Sequence, residues 1–194
     1  MPLKIMALPL VFFLSLLGGC ATKPYFIMRD AQAAQAVKRI AVLPFLNANL
    51  LSVEFEHKKG WFERNDKWTQ NFVRQAKKKL SRRFEFIEGE PVNQELIKLG
   101  ALPQPGQESA PRRAGYDVDQ AIKTGRALQA DAVLLGAGSK ADTKAFKKAF
   151  QEAVSIRLLD VRTGKVIWAI SCYKKNGRDK AVIAKVIKQL QKTL

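Results

Sequence analysis

The sequence predicts an α/β fold: a single-domain sandwich with a mixed β-sheet flanked by helices, preceded by a cleaved signal peptide. Two observations predict the sheet and its helices. The short run 40–43, and the run 132–136 that follows Asp131, are apolar at every position, which is typical of central strands buried on both faces. Segments with the apolar periodicity of amphipathic helices, above all 67–83, lie between the strand-like runs. With 194 residues, of which 47% are hydrophobic, the chain can form one core.

Residues 1–19 have the features of a secretory signal peptide. Lys4 is the only charged residue before Cys20, and the chain from Ile5 to Leu17 is almost wholly apolar. A positive start, a short apolar run and small residues at its end are typical of an exported precursor. The apolar run is shorter than the ~20 residues that a membrane-spanning helix needs.

Cys20 ends a motif that resembles the bacterial lipobox, Leu17-Gly18-Gly19-Cys20. The resemblance implies that the Cys20 thiol is joined to a diacylglycerol, that the leader is cut just before it, and that the acyl chains anchor the protein in the lipid bilayer. The alternative is a leader cleaved near Gly19 that leaves a free thiol. Ala21 follows the cysteine, where Asp would resemble the inner-membrane retention signal. We therefore expect the protein on the periplasmic side of the outer membrane.

The first part of the mature chain is expected to be a lipidated tether over 20–36, with a helical turn at its end, and the α/β domain is expected to occupy 37–194. The first strand is predicted over 37–47, with its pairing interrupted at Pro44 because proline has no N–H. A long loop over 47–66 follows, and loops of this length are often functional. It contains the only histidine, His57, and two aromatic residues, Trp61 and Phe62.

The remaining elements follow from periodicity and turn residues. On the helix at 67–83, an apolar residue recurs at every fourth position; these residues are Trp68, Phe72, Ala76 and Leu80. Further elements are predicted in this order: a strand at 84–87, a helix at 92–100, a surface loop at 102–115, a helix at 117–129, a strand at 131–136, a polar link at 138–148, strands at 153–161 and 165–173 joined by a hairpin turn, and a helix at 178–193.

The sequence also predicts which side chains of one helix and one strand face the core. On the helix at 117–129, the residues expected to face inward are Val118, Ala121, Ile122 and Leu128. On the last strand, Trp168 is predicted to be in the core on one face with Val166, Ile170 and Cys172, because alternate residues of a strand share a face. With Cys20 acylated, Cys172 has no cysteine to pair with, and its apolar neighbours predict that it is buried.

The net charge of +17 is the most unusual property of the composition. Such a charge attracts anionic partners. Because a lipid-anchored periplasmic protein seldom meets nucleic acid, anionic lipid, lipopolysaccharide, peptidoglycan or an acidic protein are the expected partners. The basic residues Arg74, Lys78 and Arg82 on the helix at 67–83 are candidates for the contact, and the alternative is that this flank is simply solvated.

The sequence does not predict an enzyme or a cofactor. His57 has near it only Glu54 and Glu56, which would hold a metal loosely at most. The stretch 136–140 has glycines but not the spacing of a phosphate-binding loop, so a turn at the end of a strand is expected. Asp117 and Asp119 are expected to begin a helix.

Three segments together resemble a known superfamily: VKRIAVLPF at 37–45, GRALQADAVLLGAGS at 125–139, and VSIRLLDVRTGKVIW at 154–168. The superfamily includes the curli secretion lipoprotein, the penicillin-binding-protein activator lipoprotein, flagellar outer-membrane lipoproteins and the N-terminal domain of the Tol-Pal propeller protein. The resemblance implies a mixed sheet with helices on its faces, and a role in binding or assembly without catalysis. The added pair of barrel-forming segments of the curli protein is not found here, so a secretion pore is not expected.

Two functions are therefore expected from the sequence. The first is an outer-membrane-anchored interaction or assembly module for an envelope machine, which binds an envelope protein partly through Trp61 and Phe62. The alternative for these two aromatic residues is that their loop folds back on the domain and packs them inside. The second is a charge-driven binder of an anionic envelope polymer or lipid, such as peptidoglycan or lipopolysaccharide. The sequence leaves the oligomeric state open.

The lipobox gives a direct prediction. Replacing Cys20 with Ser should abolish incorporation of labelled fatty acid and leave an unprocessed or soluble form, because serine offers no thiol for the thioether bond. Two acyl chains hold a protein firmly in a bilayer, so the unchanged chain should sediment with outer membranes. A serine variant that still incorporates labelled fatty acid would show that Cys20 is not the site.

Overall fold

The computed structural model describes residues 24–47, 63–64, 66–102, 117–140, 152–174 and 179–193. The strands are β1 (Pro24–Arg29), β2 (Arg39–Val42), β3 (Leu46–Asn47), β4 (Glu63–Arg64), β5 (Glu85–Ile87), β6 (Ala132–Lys140), β7 (Glu152–Asp160) and β8 (Val166–Lys174). The helices are α1 (Ala31–Ala36), α2 (Asp66–Leu80), α3 (Glu90–Lys98), α4 (Val118–Ala127) and α5 (Asp179–Thr193).

These strands form one mixed sheet, which confirms the predicted fold class. The order across the sheet is β1-β8-β7-β6-β2-β5; β3 continues beside β6 where β2 ends, and β4 pairs with β3. β2, β5 and β6 are parallel, whereas β6, β7, β8 and β1 are antiparallel neighbours. As predicted, the first strand is interrupted around Pro44: β2 ends at Val42, and β3 begins at Leu46.

The sheet has two opposite ends. We call the end where β2, β5 and β6 begin the base; Arg39, Glu85 and Ala132 lie there. We call the other end the top. One row of paired residues crosses four strands at the top: Gly138, Val154, Cys172 and Pro24.

The beginning of the folded region differs from the prediction. Residues 20–36 were expected as a tether, but β1 pairs antiparallel with β8 from Pro24 to Arg29. α1 follows and is capped by the Asp30 side chain, which accepts a hydrogen bond from Ala33 N at 3.0 Å. Ala34 of α1 is buried in the core. The sheet therefore recruits this segment, since pairing with β8 satisfies backbone groups that a tether would leave to water.

Helices cover the sheet on both faces. One core cluster contains the apolar sides of α2 and α5 together with β6, β7 and β8. A second, smaller cluster contains α3 and α4 against β2 and β6. The crossover from β2 to β5 through α2 and the return from β5 to β6 through α3 and α4 run in opposite directions across the sheet. Crossovers of the same hand then lie on opposite faces, as observed.

Two glycines of β6 determine how α2 meets the sheet. A Cβ at Gly138 would overlap the six-membered ring of Trp68, and a Cβ at Gly136 would overlap the ring of Phe45. Phe45 in turn packs on Phe72 of α2, with ring centroids 5.4 Å apart. The predicted turn at 136–140 is therefore wrong: the glycines are strand residues that let aromatic rings lie on the backbone.

Asp131 joins three segments at the base. Its Oδ2 accepts hydrogen bonds from the backbone N–H groups of Lys38 and Arg39, both at 2.8 Å. Its own N–H donates to Arg39 O at 2.9 Å, and its carbonyl accepts from Val161 N at 3.0 Å. The Arg39 guanidinium donates to Gln129 O at 2.9 Å. These bonds hold the starts of β2 and β6 together.

The inward-facing residues of α2 are buried as predicted, and so is Trp168, whose Nε1 donates to Thr193 Oγ1 at 2.8 Å. Two other details are wrong. Val118 is 45% exposed although it lies on the same side of α4 as Ala121 and Ile122; it is the first residue of the helix. Val166 does not share a face with Trp168, because a bulge at Ile167 shifts the register: Leu158 pairs with Trp168, but Leu159 pairs with Val166.

The glycine contact predicts a specific loss of stability. Gly138→Ala should destabilise the fold by about 1–3 kcal/mol, the usual cost of adding a methyl group to a packed site. Thermal or denaturant unfolding measures it. Trp68→Leu provides the matched partner in a double-mutant cycle: the two changes together should cost less than the sum of the two, because the smaller side chain relieves the overlap. Strictly additive losses would show that the ring does not lie on Gly138.

Candidate functional site

The three basic residues singled out from the sequence form an exposed stripe. Arg74 and Lys78 lie on α2, Arg82 lies just beyond its end, and all three are exposed. They occur every fourth residue, on the side opposite to Phe72 and Ala76, because an offset of two residues is about 200° around a helix. The Arg74 guanidinium donates to Asn71 Oδ1 at 2.7 Å. None of the three basic side chains forms an ion pair among the described residues.

Beyond the first residues of its two helices, Asp66 and Asp179, this helical layer carries charges of positive sign only. α2 and α5 pack together, and the Gln191 side chain donates to Lys79 O at 3.3 Å. The segments 67–83 and 181–193 contain no Asp or Glu. Their cations are Lys67, Arg74, Lys77, Lys78, Lys79, Arg82, Arg83, Lys185, Lys188 and Lys192.

The opposite helical layer has mixed charge. α3 carries Glu90, Glu95 and Lys98, and the Lys98 ammonium pairs with Glu95 at 2.5 Å. α4 carries Asp119 near its start, with the Asp117 side chain accepting a hydrogen bond from Asp119 N at 3.0 Å. Asp117 is thus a helix cap, as predicted. Positive charge is therefore concentrated on the α2–α5 layer and not spread evenly over the domain.

The end of α2 borders a cleft at the base of the sheet. The cleft has a volume of about 570 Å³. Its lining includes five cations and one carboxylate, with aromatic residues between them: Lys38, Arg39, Lys77, Ser81, Arg82, Arg83, Phe84, Glu85 and Phe86. Phe84 and Phe86 are buried, and the Arg83 guanidinium lies over the Phe84 ring, 5.1 Å from its centroid.

Part of the positive charge in this cleft is neutralised. Arg39 Nε lies 3.1 Å from Glu85 Oε2, and Lys77 Nζ lies 2.5 Å from Glu88 Oε1. Within the described part of the chain, no carboxylate pairs with Lys38, Arg82 or Arg83. These three side chains, which come from two different segments, therefore form an unneutralised cationic rim.

The sequence singled out Arg82 and places Arg83 beside it, but it did not show that Lys38 and Arg39 lie next to them. A signal was present: the doublet Lys38-Arg39 comes just before the apolar run 40–43, and the doublet Arg82-Arg83 comes just before the predicted strand at 84–87. When two such strands are parallel neighbours, the residues before them meet at one end of the sheet. The parallel pairing of β2 with β5 shows that the two doublets meet at one end of the sheet, which the number of charges alone does not show.

The described interior offers no comparable polar site. Thr124 is the one buried polar residue among the described side chains, and its hydroxyl donates to Gln120 O at 2.8 Å. Cys172 is buried as predicted, and burial raises the pKa of its thiol to about 11, although Lys185 acts in the opposite direction. The thiol therefore stays protonated at neutral pH and is a poor nucleophile.

Several predicted features lie outside the described residues. They are the lipidation site Cys20, the loop aromatics Trp61 and Phe62, and the weak metal candidates Glu54, Glu56 and His57. In the part of the chain that the structure describes, no group of His, Cys, Asp and Glu could hold a metal ion. No described helix is both long and apolar enough to cross a bilayer.

Comparison with known proteins gives similarity at the level of structure only. No protein-family model matches the chain, and no curated protein matches its sequence. Among solved structures, the LpoB C-terminal domain from Escherichia coli is 18% identical, with a TM-score of 0.45, and the match covers 71% of this chain and 83% of that one.

Two further solved structures are similar over most of this chain. The PelC dodecamer from Paraburkholderia phytofirmans is 14% identical, with a TM-score of 0.49, over 88% of this chain and 98% of the PelC chain. TolB from Acinetobacter baumannii is 12% identical, with a TM-score of 0.41, over 89% of this chain and 30% of TolB. At these values the similarity carries no argument about activity and indicates no single relative.

Proposed function

We propose that this chain is an outer-membrane-anchored periplasmic lipoprotein that acts as a non-catalytic interaction module for an envelope machine. The acylated Cys20 holds it at the bilayer, and the exposed stripe of Arg74, Lys78 and Arg82 contacts an acidic envelope protein. Trp61 and Phe62 are proposed to extend this contact. The residues that flank their loop, Asn47 and Glu63, pair with each other beside the top of β6.

The observation that carries the proposal is the segregation of charge. A basic protein whose charge served only solubility would need no particular distribution of cations. Here the α2–α5 layer has no carboxylate in 67–83 or 181–193, whereas α3 and α4 carry both signs. One-signed surfaces raise the rate of encounter with partners of opposite charge and set the orientation of docking.

The same observation favours a second candidate, a charge-driven binder of anionic envelope polymer or lipid. Lysine and arginine side chains reach phosphates and carboxylates of many polymers without a shaped pocket. The two candidates differ in their response to salt. Binding that depends on exposed charges alone weakens strongly once the screening length falls to about 3 Å near 1 M salt. Binding that also uses apolar contacts persists in part.

The experiment compares two triple variants with the same change in charge. In the first, Arg74→Glu, Lys78→Glu and Arg82→Glu reverse the stripe; in the second, Lys123→Glu, Arg126→Glu and Arg162→Glu reverse three exposed cations outside the α2–α5 layer. The intact lipoprotein is cross-linked in envelopes, and isolated peptidoglycan sacculi are tested by co-sedimentation. The stripe variant should lose its cross-linked protein, while the second variant keeps it.

The free energy of unfolding of both variants should stay within about 1.5 kcal/mol of that of the original chain, since each of the three exposed substitutions usually changes it by no more than about 0.5 kcal/mol. The charge-driven candidate would be favoured if neither the original chain nor the stripe variant is cross-linked to a protein and the stripe variant no longer binds sacculi. Equal behaviour of the two variants in both assays would contradict a role for this surface.

A further inference from the structure

The tether that joins Cys20 to the sheet is short. β1 begins at Pro24, so only residues 21–23 lie between it and the lipidated cysteine. Even a fully extended link of this length spans no more than about 14 Å. If Cys20 is acylated as proposed, Pro24 is held close to the bilayer. Pro24 lies at the top of the sheet, in the row of Cys172, Val154 and Gly138.

The cationic cleft lies at the other end. Between Gly138 at the top and Ala132 at the base, β6 advances by about 20 Å. Arg39 and Glu85 lie at the base, one residue before the level of Ala132. The electrostatic reach of headgroups at physiological salt is about 8 Å. The end of the domain that carries the cleft is therefore separated from the end that carries the anchor by more than twice that length.

The cleft also runs beside an edge of the sheet. Among the described strands, β5 pairs with β2 alone. Glu85 N donates to Lys38 O, toward β2, at 2.8 Å. Since successive residues of a strand direct their backbone groups to alternate sides, the N–H and C=O of Phe86 point away from β2. An extended polypeptide can pair with such an edge, and a lipid headgroup has no matching row of donors and acceptors.

We propose that the base cleft binds an extended acidic segment of a partner protein, on the end of the domain opposite to the lipid anchor. The main chain of that segment pairs with the edge of β5, and its carboxylates meet the cationic rim of Lys38, Arg82 and Arg83. Arginine forms paired hydrogen bonds with carboxylates, which gives this contact direction as well as charge. The assignment of the anchored end rests on the proposed acylation of Cys20, but the binding chemistry of the cleft does not.

The test uses the full lipoprotein in vesicles and a fluorescent peptide of alternating Glu and Val as the probe, with fluorescence anisotropy as the readout. The same peptide with Gln in place of Glu should bind much more weakly. Arg82→Glu with Arg83→Glu should raise the Kd for the acidic peptide by about tenfold or more, since hydrogen bonds between charged groups are lost. The control, Lys123→Glu with Arg126→Glu, should leave it nearly unchanged.

Lys38→Glu provides a second variant on a different segment, and it should weaken binding in the same direction even if Arg83→Glu disturbs Phe84. Vesicle-anchored protein and the soluble Cys20→Ser form should bind the peptide alike, because the cleft faces away from the bilayer. Equal losses in the control variant, loss of binding on anchoring, or competition by anionic vesicles as strong as that by the peptide would each overturn the proposal.

The outcomes distinguish a failure of the proposed cleft from a failure of the proposed lipid anchor. If the Cys20→Ser form binds the acidic peptide but the unchanged chain carries no lipid, the cleft stands and the anchored function fails. If the chain is acylated but no form binds the peptide, the cleft fails and the anchored function stands.

Discussion

The close approach of Trp68 to the backbone of β6 at Gly138 is the constraint on which the arrangement of this domain depends. A side chain at position 138 would occupy the place of the indole ring. With the ring in place, α2 is fixed at its start to the top of the sheet, and Phe45 N donates to Thr69 Oγ1 at 2.8 Å beside it. Packing of this density tolerates little displacement. The direction and register of α2 then place every cation of its outer face.

That register has consequences at both ends of the helix. α2 leaves the top at Asp66 and ends at Leu80, after which the chain turns at the base and enters β5. The Asp131 carboxylate fixes the start of β2 at the same end. Two basic doublets from distant parts of the sequence are thereby brought together around one cleft. The concentration of charge at the base thus follows from the way the helix is docked.

Much of this fold could be predicted from the sequence, and the failures have physical causes. Buried parallel strands and the apolar stripe of α2 are local patterns, so they were found. Gly136 and Gly138 looked like a turn, because the sequence does not show that an aromatic ring fills the space left by each missing side chain. The segment before Val37 looked like a tether, because a strand at the edge of a sheet is defined by its partner, β8, and not by its own periodicity.

Only part of the candidate site, likewise, could be predicted from the sequence. Arg82 was predicted from its place on a basic helix, and Arg83 follows it directly in the chain. That Lys38 and Arg39 lie beside them depends on the pairing of β2 with β5, which brings together residues far apart in sequence. The stripe on α2 and the cleft share Arg82, so one surface serves both proposals. The proposed role of this surface in partner binding requires that the base of the domain be accessible when the proposed acyl chains of Cys20 are in the bilayer.

The most direct measurement of that requirement compares two positions along α2, whose 15 residues span about 22 Å. A thiol-reactive fluorophore is placed at Lys67→Cys, near the top, or at Arg82→Cys, at the base; the buried, protonated Cys172 stays unlabelled in the folded protein. In vesicles that contain a headgroup-attached quencher, position 67 should be quenched clearly more strongly than position 82. Equal quenching, or stronger quenching at 82, would contradict an anchored top and a base that faces away from the membrane.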